Sequence, residues 1–162
     1  MYAYTLAFIR HQNKILMVNR EKKPWKGCWN GLGGKITLSE SPVEGIIREI
    51  SEETGLKIQP EHIKDCGTLT WNTFDANGQG LYLFFIDYQE KIPFSTPIAT
   101  DEGILDWKSL DWIIDPTNLG VAHNIRYFLP LMIRENKRYH YHCTFENDRL
   151  ISVTKEVMTD VS

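Results

Sequence analysis

The chain has 162 residues, of which 42% are hydrophobic and 12% aromatic, so it can bury a core without disulfides and is too apolar for an intrinsically disordered protein. Its 18 lysines and arginines against 21 aspartates and glutamates give a formal net charge of −3. This charge excludes the overall positive field by which proteins hold nucleic-acid polymers or anionic membranes. A polyanionic partner would therefore have to be held locally.

Targeting and cysteine patterns suggest where the protein works. The longest apolar run, residues 81–86, is far shorter than the roughly 20 residues of a membrane-spanning helix, and no signal peptide is apparent. The three cysteines, Cys28, Cys66 and Cys143, are widely spaced and form no CxxC pair, which fits a reducing compartment. We expect a cytoplasmic protein with no membrane partner, and, because no repeat or linker divides the chain, a single domain over residues 1–162.

The chain is predicted to begin with a strand, a turn and a second strand, followed by a glycine-rich loop. Apolar runs at residues 2–10 and 14–19 flank a polar turn and predict two strands. A basic stretch at 20–26 leads into the loop, whose glycines are Gly27, Gly31, Gly33 and Gly34. Glycines at this density indicate tight turns or the close approach of backbone to a ligand.

A helix is predicted over residues 42–54. Ser41 and Glu44 form a capping-box pattern, Pro42 suits the first helical position, and Gly55 suits the position just after the last turn. We expect one side of this helix to face the core, namely the side that carries Val43, Ile46, Ile47, Ile50 and Thr54.

The rest of the chain predicts more strands and a second helix. The expected strands lie at residues 66–74, 79–89, 104–109, 139–145 and 150–157. The first two form a hairpin across a turn at 75–78, and the last two form another. An amphipathic helix is expected at 122–134, kinked or started at Pro130. Strands around an early and a late helix predict an α/β fold with a mixed sheet and helices on both sides.

Glu49, Glu52 and Glu53 share a second face of the predicted helix. Like charges three and four residues apart repel, which costs stability unless something neutralises them. A divalent cation would do so, because Mg²⁺ takes carboxylate oxygens, keeps several waters and bridges to phosphates. Three glutamates on a helix are by themselves more often a solvated acidic surface than a metal site. The choice between the two therefore depends on the surrounding sequence.

Those surrounding residues carry a long motif. Gly34 is followed after five residues by Glu40, and after seven more by Arg-Glu-Ile-Ser-Glu-Glu-Thr-Gly-Leu at 48–56. This stretch resembles the Nudix box, G-x5-E-x7-R-E-U-x-E-E-x-G-U with U an apolar residue, at every position. The resemblance implies an α/β/α sandwich with a mixed sheet. It also implies a site that binds Mg²⁺, for which Mn²⁺ can substitute, and hydrolyses a nucleoside diphosphate linked to another group.

The resemblance implies a role for each motif residue. The implied metal ligands are the carbonyl of Gly34 and the carboxylates of Glu49, Glu52, Glu53 and, from outside the motif, Glu102. Glu40 is implied as a supporting carboxylate.

The implied catalytic residues are Glu52, Glu53, Glu102 and Arg48. Arg48 is expected to orient carboxylates by ion pairing rather than to touch substrate. A carboxylate must take a proton from the attacking water, and Glu53 and Glu102 are both candidates. Glu102 belongs to Asp-Glu-Gly at 101–103, which resembles the acidic loop that supplies a further ligand or base in related enzymes.

The resemblance extends over most of the chain to the MutT-like 8-oxo-dGTP diphosphatases. It is carried by residues 4–6, 29–35, 101–107 and 127–132, in addition to the motif. It implies conversion of an oxidised purine nucleoside triphosphate to the monophosphate and pyrophosphate by a monomer or homodimer. The alternatives are a hydrolase of a dNTP, ADP-ribose or a dinucleotide, and a non-catalytic nucleotide sensor, against which the intact glutamates argue.

Five residues are expected to bind the nucleotide: Thr5, Arg20, Asn30, Lys35 and Asn124. Asn30 and Asn124 are the candidate base readers, because a side-chain amide both donates and accepts hydrogen bonds. The ordinary alternatives are a loop turn for Asn30 and a helix N-cap for Asn124. Aromatic residues that could stack a base are more often core, and here they are Trp71, Phe84, Phe85 and Phe128.

Overall fold

The computed structural model describes residues 2–22, 25–72 and 80–159. Within these ranges ten strands form one sheet: β1 (Tyr4–His11), β2 (Lys14–Arg20), β3 (Trp29–Asn30), β4 (Leu32–Lys35), β5 (Ile63–Trp71), β6 (Gly80–Asp87), β7 (Ile98–Thr100), β8 (Gly103–Ser109), β9 (Tyr139–Glu146) and β10 (Arg149–Val157). The described helices are α1 (Pro42–Thr54), α2 (Leu110–Ile114) and α3 (Leu129–Arg134), with 3₁₀ segments at Pro60–His62 and Ile125–Tyr127.

The sheet is mixed. Its strand order is β10-β9-β5-β6-β1-β2-β8-β7. β1 runs parallel to β6 and β5 parallel to β9, while the other pairs are antiparallel. The strands of residues 29–35 are wedged between β1 and β2, because β3 pairs with β2 and β4 pairs with β1. This wedge places the glycine-rich loop in the middle of the sheet.

Different helices cover the two faces of the sheet. Side chains alternate along β1, so that Phe8 lies in one core and Ile9 in the other. α1 packs Ile46 and Ile50 into the core that contains Ile9. The helices α2 and α3 and the segment Ile125–Tyr127 pack into the core that contains Phe8. The predicted α/β class and the layered sandwich with a mixed sheet are confirmed.

α1 begins and ends where the sequence predicts. The Ser41 hydroxyl accepts a hydrogen bond from the Glu44 N–H at 3.1 Å, and the Glu44 carboxylate accepts one from the Ser41 N–H at 2.9 Å. Gly55 follows the last turn with φ 78°, in the left-handed region that favours glycine, and its N–H donates to the Ser51 carbonyl. These caps fix both ends of the helix and therefore the height of its glutamates above the sheet.

The predicted late helix is wrong over its first half. In place of one helix over 122–134, the chain forms the 3₁₀ segment Ile125–Tyr127 and then the short helix α3. Pro130 has no N–H to donate to the Arg126 carbonyl, so a continuous helix loses a hydrogen bond there. Phe128 leaves the helical region with φ −126° and ψ −30°, and the chain starts again as α3, near the expected Pro130.

The two predicted hairpins are present, and the two strands predicted at the start of the chain also pair with each other. β1 pairs with β2, β5 with β6, and β9 with β10, each antiparallel. The turn expected at 75–78 lies outside the described residues.

The three cysteines are all free thiols. In the described part of the chain, no helix combines the length and the apolar character that crossing a membrane requires.

Candidate active site at the glycine loop and helix α1

β4 holds the glycines of the loop directly against β1 and α1. Thr5 is the ladder partner of Gly34, and its hydroxyl donates to the Gly34 carbonyl at 3.4 Å. A Cβ on Gly33 would overlap the Thr5 carbonyl, and a Cβ on Gly34 would overlap the Glu49 carboxylate. The close approach of the Thr5 backbone therefore requires glycine at position 33, whereas a side chain at position 34 would displace the Glu49 carboxylate.

Arg48 ties α1 to the loop that precedes it. Its Nε donates to one oxygen of Glu40 at 2.6 Å and its Nη2 to the other at 3.0 Å, a bidentate ion pair. Its Nη1 reaches Glu49 at 3.1 Å and Glu52 at 3.3 Å, and its Nη2 also donates to the Lys35 carbonyl at 3.1 Å. The hydrogen bond from Arg48 lowers the pKa of Glu40 to about 2. The ion pairing expected of Arg48 is present.

Glu53 lies half-buried beside this network. Burial, together with the charges of Glu49 and Glu102, raises the pKa of Glu53 to about 8, which the charge of Arg20 partly opposes. Within the described residues no donor reaches Glu53 Oε1, although that atom is buried. Burial also raises the pKa of Glu49. At neutral pH such a pair of carboxyl groups has to share either a proton or a cation.

The structure brings two of the three helix glutamates together. Glu49 and Glu53 lie close enough to influence each other's protonation, and the charge of Glu102 also acts on Glu53. The Glu52 side chain is 61% exposed and contacts Arg48 at 3.3 Å, an i,i+4 ion pair on the surface of α1. Across residues 2–22, 25–72 and 80–159, no three His, Cys, Asp or Glu side chains form a closed metal cage.

The arrangement nevertheless fits a hard divalent cation. Mg²⁺ and Mn²⁺ are held by one or two protein carboxylates and complete their coordination with water and phosphate oxygens. The unpartnered Oε1 of Glu53 is a buried acceptor, and the Glu49 carboxylate adjoins it. Gly34 places its backbone against Glu49, so its carbonyl lies in the same neighbourhood. An open site of this kind needs a substrate phosphate to complete it.

A cavity of about 610 Å³ opens beside these carboxylates. Its charged lining residues come from α1, β2, β4 and the turns next to them, and they are Arg20, Lys22, Lys35, Glu49 and Glu102. Its apolar lining residues come largely from β1, β5, β6 and β9, and they include Leu6, Leu69, Trp71, Leu81 and Phe145. All five residues expected to bind the nucleotide line the cavity, namely Thr5, Arg20, Asn30, Lys35 and Asn124.

The two candidate base readers make different contacts in the cavity wall. Asn30 Oδ1 accepts a hydrogen bond from the Gly31 N–H at 2.8 Å, which is the local contact of a loop turn. Asn124 is only 9% exposed, and its side chain makes no capping hydrogen bond to the segment that follows it. Its Nδ2 donates instead to Cys143 Sγ at 3.7 Å. Asn124 therefore occupies the N-cap position of the segment Ile125–Tyr127, as the alternative expected, but its side chain does not cap it.

Sequence reasoning missed part of the aromatic wall. Trp25 lies just after the basic stretch and packs edge-on against Phe145, with ring centroids 5.9 Å apart. The sequence favours a core position for Trp71, whereas the structure leaves it half-buried in the cavity wall. The alternation of β5 could have signalled this, because Trp71 lies on the same face as Leu69, another wall residue. The other three aromatic residues are core, as expected: Phe84, Phe85 and Phe128.

Comparison with known proteins agrees with this geometry. Phosphatase NudJ of Escherichia coli strain K12 is 30% identical over 125 residues, covering 75% of this chain and 80% of that protein. A MutT protein from Bacillus halodurans has the same fold, with a TM-score of 0.73 and 22% identity over 96% of this chain and 98% of that one.

A bifunctional NMN adenylyltransferase/ADP ribose pyrophosphatase from Francisella tularensis, solved with AMP and a Mn ion, has a TM-score of 0.63 and 22% identity. It covers 83% of this chain and 42% of that one. The sequence model of the NUDIX domain matches residues 2–132. Since this match takes in most of the chain, including the motif at 34–56, the chain belongs to the NUDIX domain family of hydrolases.

Proposed function

We propose that this chain hydrolyses a purine nucleoside triphosphate to the monophosphate and pyrophosphate with Mg²⁺, and that it prefers an oxidised purine such as that of 8-oxo-dGTP. The observation that carries the proposal is the cavity of about 610 Å³, with carboxylates and basic groups on one part of its wall and aromatic and apolar groups on another. A nucleotide has the same division between phosphates and base. The proposal places the reaction in the cytoplasm, in a single domain over residues 1–162 that acts as a monomer or homodimer.

The charged part of the wall suits the phosphates. Arg20 and Lys35 line the cavity and can neutralise phosphate oxygens. The acidic groups would repel a triphosphate on their own, and a bound Mg²⁺ supplies the missing positive charge and lowers the pKa of a water. Glu49 and Glu53 are the residues that would hold the ion, with Gly34, Glu52 and Glu102 as the further ligands proposed from the motif and the acidic loop.

The same carboxylates supply the proton transfer. The charge of Glu102 helps to raise the pKa of Glu53, so the two candidate bases are neighbours at the same site. One of them accepts the proton of that water as its oxygen attacks phosphorus. Arg48 acts indirectly, since it touches Glu40, Glu49 and Glu52. Its part is to keep the carboxylates in place.

The apolar part of the wall suits a purine. Trp25, Trp71 and Phe145 offer ring surfaces on which a flat base can stack. Asn30 and Asn124 offer amide groups to the edge of the base. The net charge of −3 favours a free nucleotide over a nucleic-acid polymer.

A second candidate function is the hydrolysis of a different nucleotide bond. The observation that favours it is the 30% identity to a relative named as a phosphatase, over 80% of that relative's length. A phosphatase reaction would release inorganic phosphate rather than pyrophosphate. ADP-ribose, a dNTP and a dinucleotide are the alternative substrates. A non-catalytic sensor is disfavoured by the retained glutamates at 49, 52 and 53.

The experiment is a hydrolysis panel with Mg²⁺ in which 8-oxo-dGTP, dGTP, ADP-ribose and NADH are compared by chromatographic identification of the products. We expect monophosphate and pyrophosphate from 8-oxo-dGTP, at a higher kcat/KM than from dGTP. Equal turnover of the two would overturn the preference, and inorganic phosphate as the product would favour the second candidate. Glu61→Gln, which alters an exposed glutamate outside the motif in the 3₁₀ segment Pro60–His62, serves as the control.

A further inference from the structure

The amide of Asn124 is oriented by a neighbour on β9. Asn124 Nδ2 donates to Cys143 Sγ at 3.7 Å, and Cys143 is completely buried. Burial raises the pKa of the Cys143 thiol to about 11, so the sulfur is a neutral thiol that accepts the N–H weakly. Since the side chain of Asn124 makes no capping hydrogen bond, this sulfur is its anchor.

The anchor leaves the other end of the amide for the cavity. An asparagine amide has a donor end and an acceptor end, and the end that a fixed neighbour engages decides which one faces a ligand. Asn124 lines the cavity, and in the described part of the chain no donor reaches its Oδ1. The carbonyl oxygen of Asn124 is therefore available to a ligand as an acceptor.

Asn30 is oriented in the opposite sense. Its Oδ1 accepts the Gly31 N–H at 2.8 Å, so its Nδ2 is the free group in the cavity wall. The cavity wall thus presents Asn30 as a donor, oriented by the backbone of Gly31, and Asn124 as an acceptor, oriented by Cys143. The two orientations are set by protein contacts before any ligand arrives.

We propose that Cys143 is a positioning residue for base selection: it holds Asn124 with Oδ1 towards the cavity, and the site thereby selects a nucleobase that presents an N–H group to this oxygen. The inference rests on the proposed function of the cavity. A base that presents only a lone pair to Asn124 Oδ1 leaves this oxygen buried without a hydrogen-bond donor, which lowers the affinity of the site for that base.

The first experiment tests the contact in the free protein. The side-chain amide signals of Asn124 are identified in a ¹⁵N–¹H NMR spectrum by their loss in Asn124→Ala. We expect Cys143→Ala to shift both amide protons and to speed their exchange with water, and Cys143→Ser, which keeps an acceptor, to preserve the slow exchange. Unchanged shift and exchange in Cys143→Ala would overturn the proposal.

Cys66→Ala is the matched control. Cys66 is a buried cysteine of the same core cluster, but its thiol lies against the carbonyls of Lys64 and Met132, away from the cavity wall. Cys66→Ala removes one buried Sγ atom, as Cys143→Ala does, and should leave the Asn124 signals unchanged. A shift of similar size in both variants would assign the effect to general loosening of the core and overturn the proposal.

The second experiment measures base preference with pairs that differ in N–H groups: 8-oxo-dGTP against dGTP, and dGTP against dITP. We expect Cys143→Ala to lower at least one preference about fivefold, through KM rather than kcat, and Cys143→Ser to restore it. In an Asn124→Ala background, Cys143→Ala should have no further effect. An equal loss in that background would show that Cys143 does not act through Asn124.

The same pairs are also compared by binding, from the quenching of tryptophan fluorescence with Mg²⁺ present. This readout separates the two proposals. A wild-type protein that binds with the expected preference but cleaves none of the nucleotides would count against the proposed function and support the role of Cys143. Equal binding of both members of both pairs by the wild-type protein would overturn that role.

Discussion

The carboxylate of Glu49 packs against Gly34 and fills the space that a side chain at position 34 would occupy. The atoms it would displace are at the end of a flexible side chain, so the backbone can stay where it is. We therefore expect Gly34→Ala to fold with a Tm within a few degrees of the wild type and to lose roughly 100-fold or more in Mg²⁺-dependent kcat/KM, because Glu49 is pushed aside.

Gly33→Ala is the contrasting variant, since its Cβ would meet the backbone carbonyl of Thr5 rather than a mobile side chain. It should lower the Tm markedly or prevent folding. Circular dichroism melts and metal titrations of the two variants check both statements. A fully active Gly34→Ala would show that the position of Glu49 does not matter to the reaction.

Substitution of Glu52 or Glu53 should abolish turnover while the fold persists. Neither side chain belongs to the apolar cores, and glutamine keeps the volume of glutamate. Glu53→Gln should remove a charge from the buried site, and Glu52→Gln should remove the ligand proposed at its rim. Steady-state kinetics with unchanged circular dichroism is the measurement, and Glu61→Gln should behave as the wild type.

The raised pKa of Glu53, about 8 in the folded protein against about 4.3 in an unfolded chain, predicts a pH dependence. Between these values the folded state binds more protons, so the stability of the metal-free protein should fall as the pH rises through this window. Mg²⁺ should bind more tightly as the pH rises, with release of a proton. Urea unfolding in EDTA and calorimetry in buffers of different ionisation enthalpy test both effects, and Glu53→Gln should abolish the proton release.

Arg48→Lys should lower activity about 10- to 100-fold, because an ammonium group cannot make the bidentate contact with Glu40 while it also reaches Glu49. Weakened metal binding should account for most of the loss. Arg10→Lys is the control, since it alters an arginine that is paired with Asp87 at 3.0 Å, towards the opposite end of β1 from Thr5. Equal losses in both variants would point to stability rather than carboxylate positioning.

Asn30→Ala should reduce the preference for the oxidised base and keep residual triphosphate cleavage. Asn30 lines the cavity, and its Nδ2 is the end of the amide that the Gly31 contact leaves free. The ratio of kcat/KM for 8-oxo-dGTP and dGTP is the measurement. An unchanged ratio would leave base reading to Asn124 or to another residue.

The sequence could predict the elements whose signals are local. α1 carries its own start and stop signals in Ser41, Glu44 and Gly55, and the motif that includes it fixes the spacing of the glutamates. The late helix was harder to predict, because the apolar spacing of 122–134 continues through Pro130 while the backbone hydrogen bonds do not. Periodicity describes which side is buried, and it does not show where a helix breaks.

The apolar part of the cavity could not be read from local signals. Leu69 and Leu81 face each other in the predicted β5–β6 hairpin, but Phe145 of β9 and Leu6 of β1 join them because β5 runs parallel to β9 and β1 parallel to β6. Parallel pairs join segments that are distant in the chain, so no turn between them marks the pairing. The contact between Asn124 and Cys143 has the same origin, since it joins β9 to the segment before α3.

The segment that contains β3 and β4, wedged between β2 and β1, sets the spacing between the two ends of the candidate site. Asn30 and Gly34 stand four positions apart on it, and both line the cavity. A fully extended chain between them spans roughly 13 Å. Pairing with β2 holds Asn30 in place, and pairing with β1 holds Gly34. Under the proposed function, a ligand must be long enough to reach the acidic end while its base stays at the amide end. A free base or pyrophosphate alone would engage only half of the site.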